Sequence, residues 1–154
     1  KKYSTTKLIL LGRFRTKNFE KRIKELITKL SLNKNIKIIN QVSYKSVWEI
    51  LRKNSIGIIP FRRNPLTENC TPTKLFEMMA SYHHIIATDL PPIRHFVNDS
   101  IYWAEPDNVN SLKNAIISSI ESLEDNSKIK KNVNLIKNQY NWDLIKNNYI
   151  KLFL

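Results

Sequence analysis

The alternation of short apolar runs with amphipathic stretches restricts the fold of this chain more than any other feature. Residues 7–12 (KLILLG), 36–42 (IKIINQV), 55–61 (SIGIIPF), 84–89 (HIIATD) and 100–104 (SIYWA) read as strands. Most are too continuously apolar to leave one face in water. Between them the period changes to that of a helix. Phe19, Ile23, Leu26, Ile27 and Leu30 mark one face of a helix over 17–31, and Val47, Ile50 and Leu51 a short one starting at Ser43 or Ser46. A helix over 72–82 has Leu75, Met78, Met79 and Tyr82 on its apolar face. Another runs from Pro91 or Pro92 to about Val97. Leu112, Ala115, Ile116, Ser119, Ile120 and Leu123 line a long one. The tail, 127–154, is helical with an interruption near Asn141–Trp142, and Trp142 is expected to pack the closing helix on the sheet. Strands separated by helices imply parallel pairing with right-handed crossovers. The expected fold is α/β, a Rossmann-like doubly wound parallel sheet of about five strands in a single domain, 1–154.

Bulk properties narrow the classes. The chain has 154 residues, 42% of them hydrophobic, enough for one cored domain and too few for two. No apolar run approaches the roughly 20 residues of a membrane helix. It opens on Lys1 without a methionine or a leader, and so reads as either processed or, the preferred reading, a piece of a longer protein. The single cysteine, Cys70, excludes an internal disulfide and fits a reducing, cytoplasmic setting. The formal charge of +13 raises nucleic-acid binding. The lysines are spread over nearly every helix, however, and no aromatic–arginine face emerges. No nucleic-acid partner is therefore expected. An anionic substrate, or an anionic membrane surface at the inner face, accommodates the charge more simply.

Chemistry concentrates in NCTPTKLFEMMASYHHIIATDLPP, residues 69–92. Its loop follows a strand's carboxyl end, where such sheets bind ligands. Thr71 suits an N-cap and Pro72 the first helical position. The N–H groups of Thr73, Lys74 and Leu75 would then face outward unpaired, and with the Lys74 ammonium they would form a phosphate site. Glu77, off the apolar face, could accept hydrogen bonds from a ribose diol. The plainer alternative is a well-capped helix with a surface Lys74–Glu77 pair worth about 0.2–0.5 kcal/mol.

The run P-T-K-L-F-E-M-M-A-S, followed by I-I-A-T-D-L-P, resembles the signature of the C-terminal domain of GT-B-fold glycosyltransferases. It is most similar to the large retaining group, family 4 and its relatives, with their "P-x-K-x-x-E-x-M-A" segment. L-I-L-L-G, N-I-K-I-I-N-Q-V, S-I-G-I-I-P-F and Y-N-W-D-L-I-K-N-N-Y agree in order, so the likeness covers nearly the whole chain. It implies one half of a GT-B fold that binds a nucleoside-diphosphate sugar. The acceptor site would lie in an N-terminal domain outside the chain. Sugar would move to a hydroxyl acceptor in cell-surface polysaccharide or glycolipid synthesis, and no cofactor beyond the donor is implied. By the same likeness Glu77 matches the second glutamate of an E-x7-E pair that holds the ribose hydroxyls. The first position falls on Asn69, where an amide replaces the expected carboxylate. Thr71, Thr73, Lys74 and Leu75 match the segment facing the diphosphate, and Gln41 and Val42 the backbone bordering the base. The chain departs from the family in carrying Tyr82-His83-His84 where Gly and Pro are usual. It also begins after the family's first strand–helix unit, whose basic pair neutralises the diphosphate, although Gly12-Arg13-Phe14 with Lys17 offers another register. A fragment so bounded is expected to be inactive alone, and its helix start should border the main concave site.

Other residues receive plainer readings. His83 and His84, adjacent at a strand, would point to opposite faces and read as structural. His95 reads as a surface residue. Cys70 has no histidine at a useful spacing for a nucleophile. Arg62 and Arg63 are either solvated or near donor phosphates. The competing function is a non-catalytic Rossmann- or flavodoxin-like nucleotide- or phosphate-binding module.

Overall fold

The computed structural model describes residue 3 and residues 5–151, leaving out the side chains of Asn147 and Asn148. Residues 152–154 of the expected closing helix lie outside the described residues. The chain divides into two compact units, Lys1–Val47 and Trp48–Leu154.

In the first unit, β1 (Leu8–Leu11) pairs in parallel with β2 (Ile36–Ile39), Leu8 opposite Ile36 and Leu11 opposite Ile39. The intervening helix α1 (Lys17–Lys29) starts where Thr16 Oγ1 accepts from the Phe19 N–H at 3.1 Å. Of its expected apolar face only Ile27 is buried; Phe19, Leu26 and Leu30 are about half exposed. Four-residue strands offer too little sheet to cover a thirteen-residue helix. Gly12 ends β1 at φ +133°, a backbone angle that side chains oppose, with its N–H bonded to Ile39 O at 2.9 Å. Helix α2 (Tyr44–Arg52) begins at Ser43, whose Oγ accepts from the Ser46 N–H.

The second unit carries β3 (Ile56–Ile59), α3 (Thr73–Ala80), β4 (His84–Thr88), α4 (Pro91–Arg94), β5 (Tyr102–Ala104), α5 (Val109–Glu121), α6 (Ser127–Asn138) and α7 (Trp142–Ile150). Its strands pair in parallel in the order β3-β4-β5. All five expected strands are present, but among the described residues they form ladders of two and three strands. β4 is buried along its whole length, which is why it reads as an unbroken apolar run. Its alternation divides the core. Ile85 and Ala87 pack with Ile59, Leu75, Met79 and Ile93, whereas Ile86 packs with Ala104 and Ala115. Helices therefore cover both faces of this sheet, as a doubly wound fold requires.

Two features seat α3. A Cβ on Gly57 of β3 would lie 2.9 Å from Met78 Cγ and nearer still to Met78 Sδ, so the Met78 side chain fills the space that glycine leaves and would have to move for any larger residue. At the other end Ser81 is the C-cap and Tyr82 adopts φ +61°, while the His83 N–H reaches back to Met78 O at 3.2 Å. This is the left-handed helix ending that glycine favours, adopted here by a tyrosine. Tyr82 consequently leaves the apolar face expected of it and is 60% exposed. Trp142 also departs from expectation. It is exposed, and its ring lies 5.8 Å from that of Tyr149 of its own helix, tilted at 56°. Leu144, Ile145 and Ile150 of α7 are exposed as well, so this helix presents an apolar surface to solvent.

Candidate functional site

The loop between β3 and α3 leaves the carboxyl edge of the sheet and returns as the start of α3. It is not capped as the sequence suggested. Pro72, with ψ 118°, is the N-cap, and Thr71 lies one residue outside the helix. The fixed proline φ is compatible with the extended half-in position as well as with the first turn, and here the chain uses the former. No side chain caps the helix. The Leu75 N–H donates to Pro72 O at 3.0 Å and is thus occupied, and the Leu75 side chain is fully buried. Thr73 and Lys74, both exposed, open the helix.

Lys74 Nζ lies 2.7 Å from Glu77 Oε2. The pair is lopsided: the lysine side chain is 58% exposed and the glutamate only 15%. A solvated surface pair would leave both ends in water. Here the glutamate side chain as a whole is largely covered, with one exposed ammonium as the bonded partner of its carboxylate among the described residues. Desolvating a carboxylate is unfavourable unless hydrogen bonds replace the lost water.

The loop itself is internally bonded. Asn64 Oδ1 accepts from the Leu66 and Thr67 N–H groups at 3.0 and 3.1 Å, and Thr67 Oγ1 donates to Arg62 O at 2.6 Å. Asn69, exposed, donates through Nδ2 to Pro65 O at 2.8 Å. Arg62 and Arg63 are both held by acids. Arg62 Nε donates to Asp107 Oδ1 at 2.8 Å, the Arg63 N–H to Asp107 Oδ2 at 3.1 Å, and Arg63 Nε lies 3.4 Å from Glu68 Oε1. The Arg62 guanidinium, followed by the Arg63 N–H, keeps the Asp107 carboxyl below its usual range. A second acid–base pair follows β4: Asp89 receives two hydrogen bonds from Arg94, whose guanidinium lies 4.4 Å from the centre of the Trp103 ring.

Asn69, Thr71, Thr73, Lys74, Leu75 and Glu77 thus share one loop and helix start. Gln41, exposed, and Val42, half-buried, lie in the first unit just past the carboxyl end of β2. Two hollows of the second unit are lined by other residues. One, about 460 Å³, lies between Tyr82 and α6 and is lined by Ile129, Lys130, Val133 and Lys137. The other, about 370 Å³, lies between residues 94–100 and α6. The acids Asp89 and Asp107 were not singled out from the sequence. In D-L-P-P and E-P-D-N each reads as an ordinary turn residue, and only the fold brings Asp107 to Arg62. The two histidines are buried as expected: His84 faces the Tyr102 ring at 6.2 Å, and burial lowers the pKa of His83. His95 and Cys70 are exposed.

A family model described as "Glycosyl transferases group 1" matches residues 1–142. The chain belongs to this family. Solved structures agree with the glycosyl transferase assignment in fold. HepE of Anabaena, in complex with UDP, superposes with a TM-score of 0.82 at 16% identity, over 97% of this chain and 41% of its own. A glycosyltransferase of Rickettsia africae gives 0.79 at 20% identity, covering 96% and 39%. Sucrose-phosphate synthase of Thermosynechococcus elongatus gives 0.81 at 18%, covering 96% and 37%. This group 1 glycosyl transferase chain therefore spans about two fifths of the length of these structures. No curated protein is similar enough in sequence to count as a relative. The resemblance to a C-terminal GT-B domain, read from P-T-K-L-F-E-M-M-A-S, stands.

Proposed function

We propose that this chain is the donor-binding part of a glycosyltransferase that moves a sugar from a nucleoside diphosphate to a hydroxyl acceptor. The observation that carries this reading is the largely covered Glu77 side chain, one helical turn past Lys74 on the helix that follows β3, within a group 1 glycosyl transferase chain. The Thr73 and Lys74 N–H groups, with the Lys74 ammonium, take the diphosphate, and Glu77 accepts the ribose hydroxyls. Lys74 would exchange one anionic partner for another, because diphosphate and carboxylate both suit its ammonium. Charge that develops on the departing diphosphate is stabilised by this helix start and by basic groups beyond the chain. Asn69 borders the sugar, and Gln41 and Val42 border the base. The donor carries its own leaving group, so the reading needs no cofactor. Support for a nucleotide comes from HepE, solved with UDP and with UDP-glucose.

The acceptor site, in this reading, belongs to an N-terminal domain beyond the chain, and the acceptor to cell-surface polysaccharide or glycolipid synthesis. The charge of +13 favours work at the inner, anionic face of a membrane, with no nucleic-acid partner. No helix among the described residues is long and apolar enough to cross that membrane. A thermal-shift panel of UDP-, GDP-, ADP- and CMP-sugars on the intact enzyme tests the proposal. One nucleotide class should raise the melting temperature by several degrees at saturation. No shift with any of the four would overturn the donor-site reading.

A further inference from the structure

The carboxylate of Asp107 lies outside the segment that the donor-site reading uses, yet it touches that segment's loop at two points. Its Oδ1 accepts from Arg62 Nε at 2.8 Å and its Oδ2 from the backbone N–H of Arg63 at 3.1 Å. These partners are 45 and 44 residues away in sequence. Asp107 is itself rigidly mounted. It follows β5, whose Ala104 O accepts from the Asp89 N–H, and adopts φ +58° in a tight turn. Asn108 next to it caps α5 through the Ser111 N–H at 3.0 Å and donates to Glu105 Oε2 at 2.6 Å. The turn is thus fixed by a strand on one side and a capped helix on the other. By contrast, residues 60–72 form thirteen consecutive positions with no strand or helix. Loops of that length in compact domains are uncommon and often functional.

The ion pair alone does not account for the arrangement. Arg62 is 87% exposed at its side chain and Asp107 43%, and such pairs contribute little to stability. The bond to the Arg63 N–H is different in kind, because it grips the backbone and fixes where the loop leaves the sheet. The internal bonds at Asn64, Thr67 and Asn69 then carry that constraint along the loop toward Thr71.

We propose that Asp107 is a positioning residue for the donor site: it clasps the 60–72 loop to the β5–α5 turn and so fixes the start of α3, with Thr73 and Lys74, for diphosphate binding. This rests on the donor-site reading. Asp107 touches no donor itself. It acts through the Arg63 N–H.

The test uses the intact enzyme and the nucleotide that gives the largest shift among UDP, GDP, ADP and CMP. Amide hydrogen exchange over residues 62–71 is measured without ligand, and nucleotide affinity by calorimetry. Asp107→Ala should speed exchange in this loop at least tenfold and weaken binding about tenfold, with the melting temperature changed by no more than about two degrees. Asp107→Asn keeps an oxygen for the Arg63 N–H and should recover most of both losses. Arg62→Ala removes only the exposed ion pair and should weaken binding less than threefold. An Arg62→Ala effect as large as that of Asp107→Ala would move the role to the guanidinium and overturn the assignment. Unchanged exchange in Asp107→Ala, or faster exchange at unchanged affinity, would also overturn the positioning role while leaving the donor site standing. A wild-type enzyme that binds none of the four nucleotides would instead overturn the donor-site reading and this role with it.

Discussion

At the scale of single residues, Glu77 and His83 show how one kind of observation, burial of an ionisable group, leads to different roles. The Glu77 side chain is 15% exposed, and its carboxylate has one bonded partner among the described residues, Lys74, at 2.7 Å. If it serves a ribose diol, Glu77→Gln in the intact enzyme should preserve α3 and weaken ribonucleotide binding about tenfold or more. Hydrogen bonds to a charged acceptor are worth roughly 1.5–3 kcal/mol. The matching 2′-deoxy nucleotide should show little of this loss. Equal calorimetric affinity of Glu77→Gln and wild type for the ribonucleotide would leave a simple ion pair. His83 has no such opening. It is 1% exposed, its ring nitrogens make no hydrogen bond of good geometry among the described residues, and burial lowers its pKa from the ordinary 6.5. The nearby backbone of Met78, Leu51 and Ser81 pulls the other way without reversing the shift. The unfolded chain therefore takes up a proton before the folded one as pH falls. The stability contributed by neutral His83 is full above about pH 6.5 and declines below it. Melting temperatures should fall between about pH 7.5 and 5.5, and His83→Leu should flatten that slope. The Asp89 carboxylate, lowered chiefly by its Arg94 hydrogen bonds, acts only in a more acid window, below its ordinary 3.8.

At the scale of elements, the seat of α3 on β3 decides where the proposed donor residues stand. Gly57 provides the room, and Met78 fills it from the helix. Gly57→Ala gains about 0.4–1 kcal/mol from a stiffer unfolded chain. It loses about 1–3 kcal/mol by driving a methyl group into Met78. A net destabilisation of roughly 1–2 kcal/mol is expected in denaturant unfolding. Because the two side chains would compete for one space, adding Met78→Ala should cost less than the sum of the single changes. Strict additivity would show that α3 shifts as a body instead. The same close packing makes the first turn a fixed platform, and the Asp107 clasp provides the matching constraint on the loop that precedes it.

At the scale of the whole molecule, the chain covers about two fifths of the glycosyltransferase structures it resembles, 41% in HepE. Two hollows lie against α6, lined by none of the residues of the helix start. Both facts suit a donor edge that another domain completes. The isolated chain should accordingly show no sugar transfer and only weak affinity for a nucleotide sugar, whereas the intact enzyme should do both. Turnover assayed with radiolabelled donor separates the two, and robust transfer by the isolated chain would refute the division of labour.

Periodicity and punctuation in the sequence determined the α/β class, all five strands and the break before Trp142, and the resemblance of P-T-K-L-F-E-M-M-A-S to a known signature pointed to the family. These follow from local rules, since hydrophobic spacing and turn residues act over a few positions. The candidate segment from Asn69 to Glu77 was legible for the same reason: its motif is contiguous. What the sequence did not contain were outcomes of packing. Whether Thr71 or Pro72 caps α3 turns on one backbone angle that either residue could satisfy. Tyr82 accepts a left-handed conformation because the chain must reverse there into a buried strand, and Trp142 stays exposed although its hydrophobicity argues for burial. The withdrawal of Glu77 from water and the reach of Asp107 across 45 residues to Arg62 belong to the tertiary structure alone. Contacts between distant segments leave no period and no spacing in the chain, so only the folded arrangement of strand ends could bring that acid to that loop.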